Sequence, residues 1–211
     1  FKKLTPVDPN STNPYQLTEA DRTVIGNTTP KFSGGFGLNA TYKGFDMSMF
    51  FNFMYDFDVL NANKIMLTTW ADNKENNFLM DIASDKRWRN FDDMGNEIRY
   101  SPEVLAEFNK NATMWNPTSI GRPICMSYAV EDGSFLRLNS ATLGYTLPSV
   151  WTKKVGLSKV RFYVSGNNLF TLTGYSGYDP EVNIATGLTP NIDYNRYPRS
   201  RTYTFGAQLT F

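Results

Sequence analysis

The chain has 211 residues, with 21 basic against 20 acidic side chains, a single cysteine and no histidine. The missing imidazole removes zinc hydrolases and Ser-His-Asp catalysis together, Cys125 alone cannot close an internal disulfide, and a net charge of +1 without a basic stripe leaves nucleic acid no electrostatic footprint. A mean hydropathy of −0.41 with no run of 18 apolar residues excludes a membrane-spanning helix, but it is blind to a membrane barrel, whose strands carry only alternate apolar residues.

The opening "FKKLTPVDPN" carries no charged n-region, apolar h-region or cleavage site, so the chain reads as a mature piece or a fragment. The first strand signal lies in "FSGGFGLNATYKGFDMSMFFNFMYD", Phe32 to Asp56. Apolar residues sit at even positions up to Tyr42 and at odd positions from Phe45. A parity flip across Lys43-Gly44 is what a two-residue hairpin turn requires, and it predicts facing residues whose numbers sum to 87. Tyr42 then opposes Phe45 and Phe36 opposes Phe51 on a greasy face. Asn39 opposes Ser48 and Gly35 opposes Asn52 on a wet one. Gly34 and Gly37 lie opposite Phe53 and Phe50, aromatics covering glycine gaps. Phe50 and Met54 break the wet face.

From Asp58 to about Asp132 the period of two is lost, and "SPEVLAEFNKNA" reads as a short helix with Ser101 as N-cap and Pro102 in its first position. "GSFLRLNSATLGYTLP" resumes as a strand whose phase slips between Leu138 and Ala141, which predicts a bulge near Asn139 or Ser140. A moderate turn, "PSVWTKKVGLS", precedes the strand "KVRFYVSGNNLFTL", a second long loop follows, and Arg199 to Phe211 closes. In "RTYTFGAQLTF" the residues Tyr203, Phe205, Ala207, Leu209 and Phe211 share one face, with Thr204 and Gln208 on the other.

Five long strands thus alternate with connections that are short, long, moderate and long. Two of the strands run about 11 residues, the length of a tilted membrane-crossing strand rather than of a globular one. Brief turns at one end and extended loops at the other are the asymmetry of outer-membrane barrels. With Phe211 on the periplasmic side, residues 1–31, 57–133 and 172–198 face outside.

"DRTVIGNTTPKF", "VEDGSFLRLNSATLGYTLP", "VSGNNLFTLTGYSGYDPEV" and the arginine-bearing run into the closing strand resemble the C-terminal part of SusC/RagA-type TonB-linked outer-membrane proteins of Bacteroidetes. The resemblance implies an all-β fold: about five C-terminal strands of a large antiparallel transmembrane β-barrel with long extracellular loops, residues 1–31 being a loop segment and 32–211 barrel. It implies an importer of oligosaccharides or peptides, working with a SusD-like surface lipoprotein and driven by the TonB complex through an N-terminal part that is absent here. It also implies that Tyr203, Phe205, Leu209 and Phe211 form a signal for the barrel-assembly machinery. Five strands alone leave two open edges that lipid does not tolerate, so the remaining barrel and plug of the same transporter are expected partners, with outer-membrane lipids around them. In many members of the family this chain resembles, the region before Asp21 carries an Asp-x-Asn-x-Asp-Gly run similar to a calcium loop. Here "DPNSTN" lacks a carboxylate and the glycine, so no cofactor is expected, and calcium near Asp8 and Asn10 is left open.

By parity, Asn39, Asp46, Ser48, Asn52, Thr204 and Gln208 line the lumen, while Trp70, Trp88, Trp115, Tyr175 and Tyr178 stand in the long loops as contacts for ligand or lid, or as packing of the loops themselves. Tyr42, Tyr55, Tyr145 and Tyr203 near strand ends suit an aromatic girdle. The pairs Asp92-Asp93 and Glu131-Asp132 lack the defined separation of glycosidase carboxylates and read as loop charges, so no enzyme is expected. The rival is a soluble β-sandwich, a carbohydrate-binding or adhesin module, which requires a second sheet over the greasy face.

Overall fold

The computed structural model describes residues 4–6, 18–69, 77–82, 86–117, 124–182 and 190–211. Strands β1 (Phe32–Tyr42) and β2 (Phe45–Tyr55) form the hairpin in the register that parity predicts, from Phe32 opposite Tyr55 to Tyr42 opposite Phe45. The turn is built on two left-handed residues, Lys43 (φ 44°) and Gly44 (φ 89°). Strands β3 (Asp58–Asn61), β4 (Val130–Asp132), β5 (Phe135–Thr146), β6 (Lys159–Thr173), β7 (Ile192–Asp193) and β8 (Thr202–Thr210) complete the set. Among the described residues the α-helices are α1 (Ala62–Met66), α2 (Pro102–Asn109) and α3 (Ser149–Thr152).

The five long strands make one antiparallel sheet in the order β1-β2-β5-β6-β8, a meander with every neighbour adjacent along the chain of long strands. The predicted bulge is present. Phe50 pairs with Ser140 and Phe51 with Leu138, so Asn139 is the extra residue against β2. On the other side Leu138 pairs with Phe170 and Ser140 with Asn167, so β6 compensates with its own irregularity at Asn168 (φ 54°) and Leu169. Helix α2 starts at Pro102 as expected, although Ser101 makes no side-chain cap bond.

A second sheet, β4-β3-β7, lies in the region where the period of two is lost. Its strands have four, three and two residues, too short for alternation to register, and its β3–β7 pairing is parallel between residues more than 130 positions apart. The hydrophobic core sits where this sheet meets the loop end of the large one: Phe57, Val59, Phe135, Tyr175 and Val182 are buried together, with Met54 against them. Met54 breaks the wet face of β2 because that end of the strand enters this core. Phe50 breaks it for a different reason: its ring lies across Gly35, on the diagonal, 2.8 Å from where a Cβ would stand.

Candidate functional site

The large sheet buries little of its apolar surface: among the described residues of its strands, Phe135, Leu138 and Val160 are the buried apolar side chains. Strand β1 is exposed along its whole length, and apolar side chains stay exposed on one face of all five strands, among them Phe36, Leu38, Phe45, Leu143, Phe162, Phe205 and Leu209. The greasy face is also ordered. Phe36 stacks on Phe51 with ring centroids 4.9 Å apart, and Phe45 meets Tyr145 at 4.5 Å. Eleven residues at about 3.4 Å per residue, tilted by about 40°, give a band about 29 Å tall, enough to cross the apolar belt of about 25 Å of an outer-membrane barrel. Tyr42 and Tyr145 mark its short-turn end and Tyr55 its loop end, while Tyr203, near the start of β8, stands opposite Gly166, midway along β6.

The wet face carries the six residues predicted to line a lumen. Asn39 faces Ser48, Thr41 faces Asp46, Asn52 faces Arg137, Thr204 faces Ser165, and Gln208 faces Arg161. The sequence reading leaves out the cations of this face. Arg161 of β6 reaches across β5 to make a forked pair with Asp46, its guanidinium occupying the space above Gly144 and standing 5.1 Å from the Tyr163 ring. Tyr163 in turn fills the space above Gly206. The short-turn end of the wet face is therefore a joined row of one carboxylate, one guanidinium and one phenol.

At the loop end the wet face carries Arg137, whose side chain is 1% exposed. Its Nη2 donates to Asp179 Oδ1 at 2.5 Å, its Nη1 to Asn168 Oδ1 at 2.7 Å, and its Nε lies 3.6 Å from Glu181. Glu181 also pairs with Arg199 at 2.7 Å, and Asn168 Nδ2 donates to the Arg199 carbonyl at 2.9 Å. Burial pushes the Asp179 carboxyl up, but donors from Arg137 and the Glu181 amide outweigh it and hold the group below its ordinary value. The network fastens the loop after β6 onto the wall formed by β5 and β6.

A second set of polar ties holds the small sheet. Glu131 accepts from Ser176 N and Oγ at 3.0 and 2.9 Å and from Asn61 at 3.0 Å, and pairs with Lys64 at 3.0 Å. Burial raises its carboxyl, and those four donors bring it below the usual carboxylate range. The four loop acids are thus structural: Asp92 caps a turn through Met94 N and Asn96 N, Asp93 pairs with Arg89, and Asp132 accepts from Ser134.

The aromatic loop residues separate. Tyr175 is 6% exposed, its hydroxyl donating to Asp193 at 2.7 Å, so burial removes it from the surface where a ligand would stack, and raises its phenol. Trp115 is half-buried, donating to the Thr68 carbonyl at 3.0 Å and standing edge-on to Tyr128 at 5.2 Å. Trp88 is exposed and Tyr178 is 83% exposed. Trp70, Asp8 and Asn10 lie outside the described residues. The interior position of Tyr175 has no signal in the sequence, since its partner stands 18 residues on, in a strand of two residues.

No family model matches the chain. It is 35% identical over 202 residues to TonB-dependent receptor P3 of Formosa agariphila, covering 93% of this chain and 18% of that protein. It is 38% identical over 88 residues to TonB-dependent receptor SusC of Bacteroides thetaiotaomicron, covering 40% of this chain and 8% of SusC. Among solved structures, the RagAB peptide transporter matches with a TM-score of 0.69 at 25% identity, over 93% of this chain and 19% of that one. The chain spans at most about a fifth of the length of the proteins it matches.

Proposed function

The chain belongs to the SusC/RagA type of TonB-dependent receptors, and from that premise we propose that it is a sector of the barrel wall of an outer-membrane importer of oligosaccharides or peptides, working with a SusD-like surface lipoprotein. One observation carries this reading: the five-stranded sheet keeps its greasy face exposed while the loop layer folds onto its wet face, through Phe135 and Met54, at one end only. A sandwich would set its second sheet over the greasy face. Here the second sheet caps the other side.

In this reading residues 1–31, 57–133 and 172–198 are extracellular, and residues from Phe32 onward carry the barrel strands. The greasy face meets lipid. The row Asp46, Arg161, Tyr163, together with Asn39, Ser48, Asn52, Thr204 and Gln208, faces the plug or the passing solute. Trp88, Tyr178 and Trp70 contact solute or lid, and Tyr203, Phe205, Leu209 and Phe211 serve barrel assembly. The wall does no bond-making. It supplies polar groups along which a bulky polar solute exchanges its hydrogen bonds with water.

The test is a semi-native gel of detergent-extracted outer membranes, boiled and unboiled, with mass spectrometry locating the tryptic peptide from Phe162 to Arg196. A band several times larger than 24.0 kDa whose mobility shifts on boiling is expected. The same peptide near 24.0 kDa in a soluble fraction overturns the reading. Uptake of labelled oligosaccharides against labelled peptides, with the receptor gene present or deleted, then separates the two solute classes.

A further inference from the structure

The turn between β5 and β6 is built more firmly than a barrel turn requires. Helix α3 and the single 3-10 turn after it, Lys153–Val155, are closed by Gly156 in the left-handed region (φ 76°). Leu147 N donates to Val160 O at 2.9 Å, Leu157 N to Thr152 O at 3.1 Å, and Ser158 N to Thr210 O at 2.8 Å, so the turn is stapled to both β6 and β8. Thr152 points inward and is buried. Its neighbours point out: Trp151 is 60% exposed and Val155 71%, with Val150 exposed beside them. Lys153 and Lys154 are exposed, with no carboxylate partner among the described residues.

Two observations say what covers these groups. The first is position. Helix α3 lies against β6, and Val160, which has greasy-face parity, is buried although Phe162 and its cross-strand neighbour Leu209 are exposed. The turn therefore overlies the greasy side of the sheet's short-turn end, and its apolar residues continue the surface that Tyr145, Phe162 and Leu209 begin. The second is charge. The sequence has no acid between Asp132 and Asp179, and Asp46 is the sole acid in the hairpin, already paired with Arg161. Lys43, Lys153, Lys154 and Lys159 thus give this rim an uncompensated positive charge, whereas the acids gather in the loops at the other end. An amphipathic indole with lysines at the border of an apolar band matches an interfacial zone, where the ring sits among the upper acyl carbons and ammonium groups reach phosphates.

We propose that residues 149–155 form a foot that inserts Val150, Trp151 and Val155 into the leaflet on the short-turn side, and that Lys153 and Lys154 hold the phosphates of anionic glycerophospholipids there. The proposal rests on the barrel-wall reading above. The foot fixes the height of the wall in the bilayer at one rim, where the hairpin turn Lys43-Gly44 offers only a lysine over the ring of Tyr42, 5.2 Å from its centroid.

The test uses the full-length receptor in nanodiscs of phosphatidylcholine alone or with phosphatidylglycerol. Spin labels are placed at Val155→Cys and, on the mid-strand greasy face, at Leu143→Cys, and their accessibility to oxygen and to a water-soluble nickel chelate is read. Retained phosphatidylglycerol is counted by native mass spectrometry for the parent and for the pair K153Q and K154Q. A lipid-exposed label at 143, an interfacial label at 155, and retention lowered about five-fold per lysine removed are expected. A lipid-exposed label at 143 with a water-exposed label at 155 overturns the foot and leaves the barrel standing. Water exposure at both overturns the barrel reading and the foot with it. An interfacial label at 155 with unchanged retention in the double variant overturns the recognition of anionic headgroups.

Discussion

Along β1 and β2 every residue from Phe32 to Tyr42 has its partner in one unbroken ladder. In the loop layer at the end of the same sheet, Arg137 reaches Asp179 across 42 residues, Asn61 reaches Glu131 across 70, and Leu60 pairs with Ile192. The ladder repeats one cheap rule many times, so losing one rung leaves its neighbours in register. The loop layer rests on a few buried polar groups, each expensive when its partner is removed. The sheet should therefore tolerate most single changes and respond to which face they touch, whereas the loop layer should fail at particular residues.

The largest effect is expected at Arg137→Met. The change leaves the nearly buried Asp179 without its cation, a loss of about 3–5 kcal/mol for a broken buried pair. In the full receptor, protease cleavage within residues 174–201 should accelerate more than ten-fold while the heat-modifiable barrel band persists. Adding Asp179→Leu should recover part of the loss, because the stranded charge is then gone. Equal cleavage in the parent and in R137M would mean that the loop is held by something else.

Next comes a pair of changes one residue apart. Leu38 lies mid-strand on the greasy face and Asn39 on the wet one. An arginine at 38 should cost about 2–4 kcal/mol in bilayer refolding, and an arginine at 39 close to nothing. Equal costs would show that the two faces meet the same medium. A third and smaller effect is set by pH. The carboxyls of Asp179 and Glu131 lie below their ordinary values of 3.8 and 4.5 in the folded protein. The unfolded state therefore binds protons first, and the stabilisation is complete above those values and lost as acid passes below them. Near-UV circular dichroism should hold steady at neutral pH and fall below pH 4.5 while the far-UV strand signal stays.

The same contrast explains what could be read in advance. The hairpin register followed from the parity flip between Tyr42 and Phe45, and the bulge at Asn139 from a phase slip, because a period of two is local and each strand repeats it many times. Helix α2 announced itself through Pro102. The small sheet could not be read, since three strands of two to four residues carry no period, and its parallel pairing depends on chain far away. The aromatic residues of the loops looked alike in sequence, yet Tyr175 is interior and Tyr178 is not, a difference made by Asp193. Arg137 and Arg161 did carry a signal: each is a cation at wet-face parity inside a strand, and such a residue calls for a partner even when the partner cannot be named.

The smallest effect compares one substitution in both regions. Gly44 and Gly95 each have a left-handed backbone, at φ 89° and 85°, so alanine at either strains the chain by about 1 kcal/mol. At Gly95, in the loop layer, nothing stands within 4 Å of the added Cβ, and the backbone term is all there is. At Gly44 the Cβ would stand 2.8 Å from the Thr146 carbonyl, while the Gly44 carbonyl already accepts from Thr146 N at 2.8 Å. Relief of that contact must either open the turn or part β2 from β5 at its end. Gly44→Ala should thus slow barrel folding measurably more than Gly95→Ala, as read by the rate at which the heat-modifiable band appears on refolding into detergent micelles. If the two variants fold alike, the ladder is soft at its turn, and the register is held by the greasy pairs Tyr42–Phe45 and Phe45–Tyr145 rather than by the turn itself.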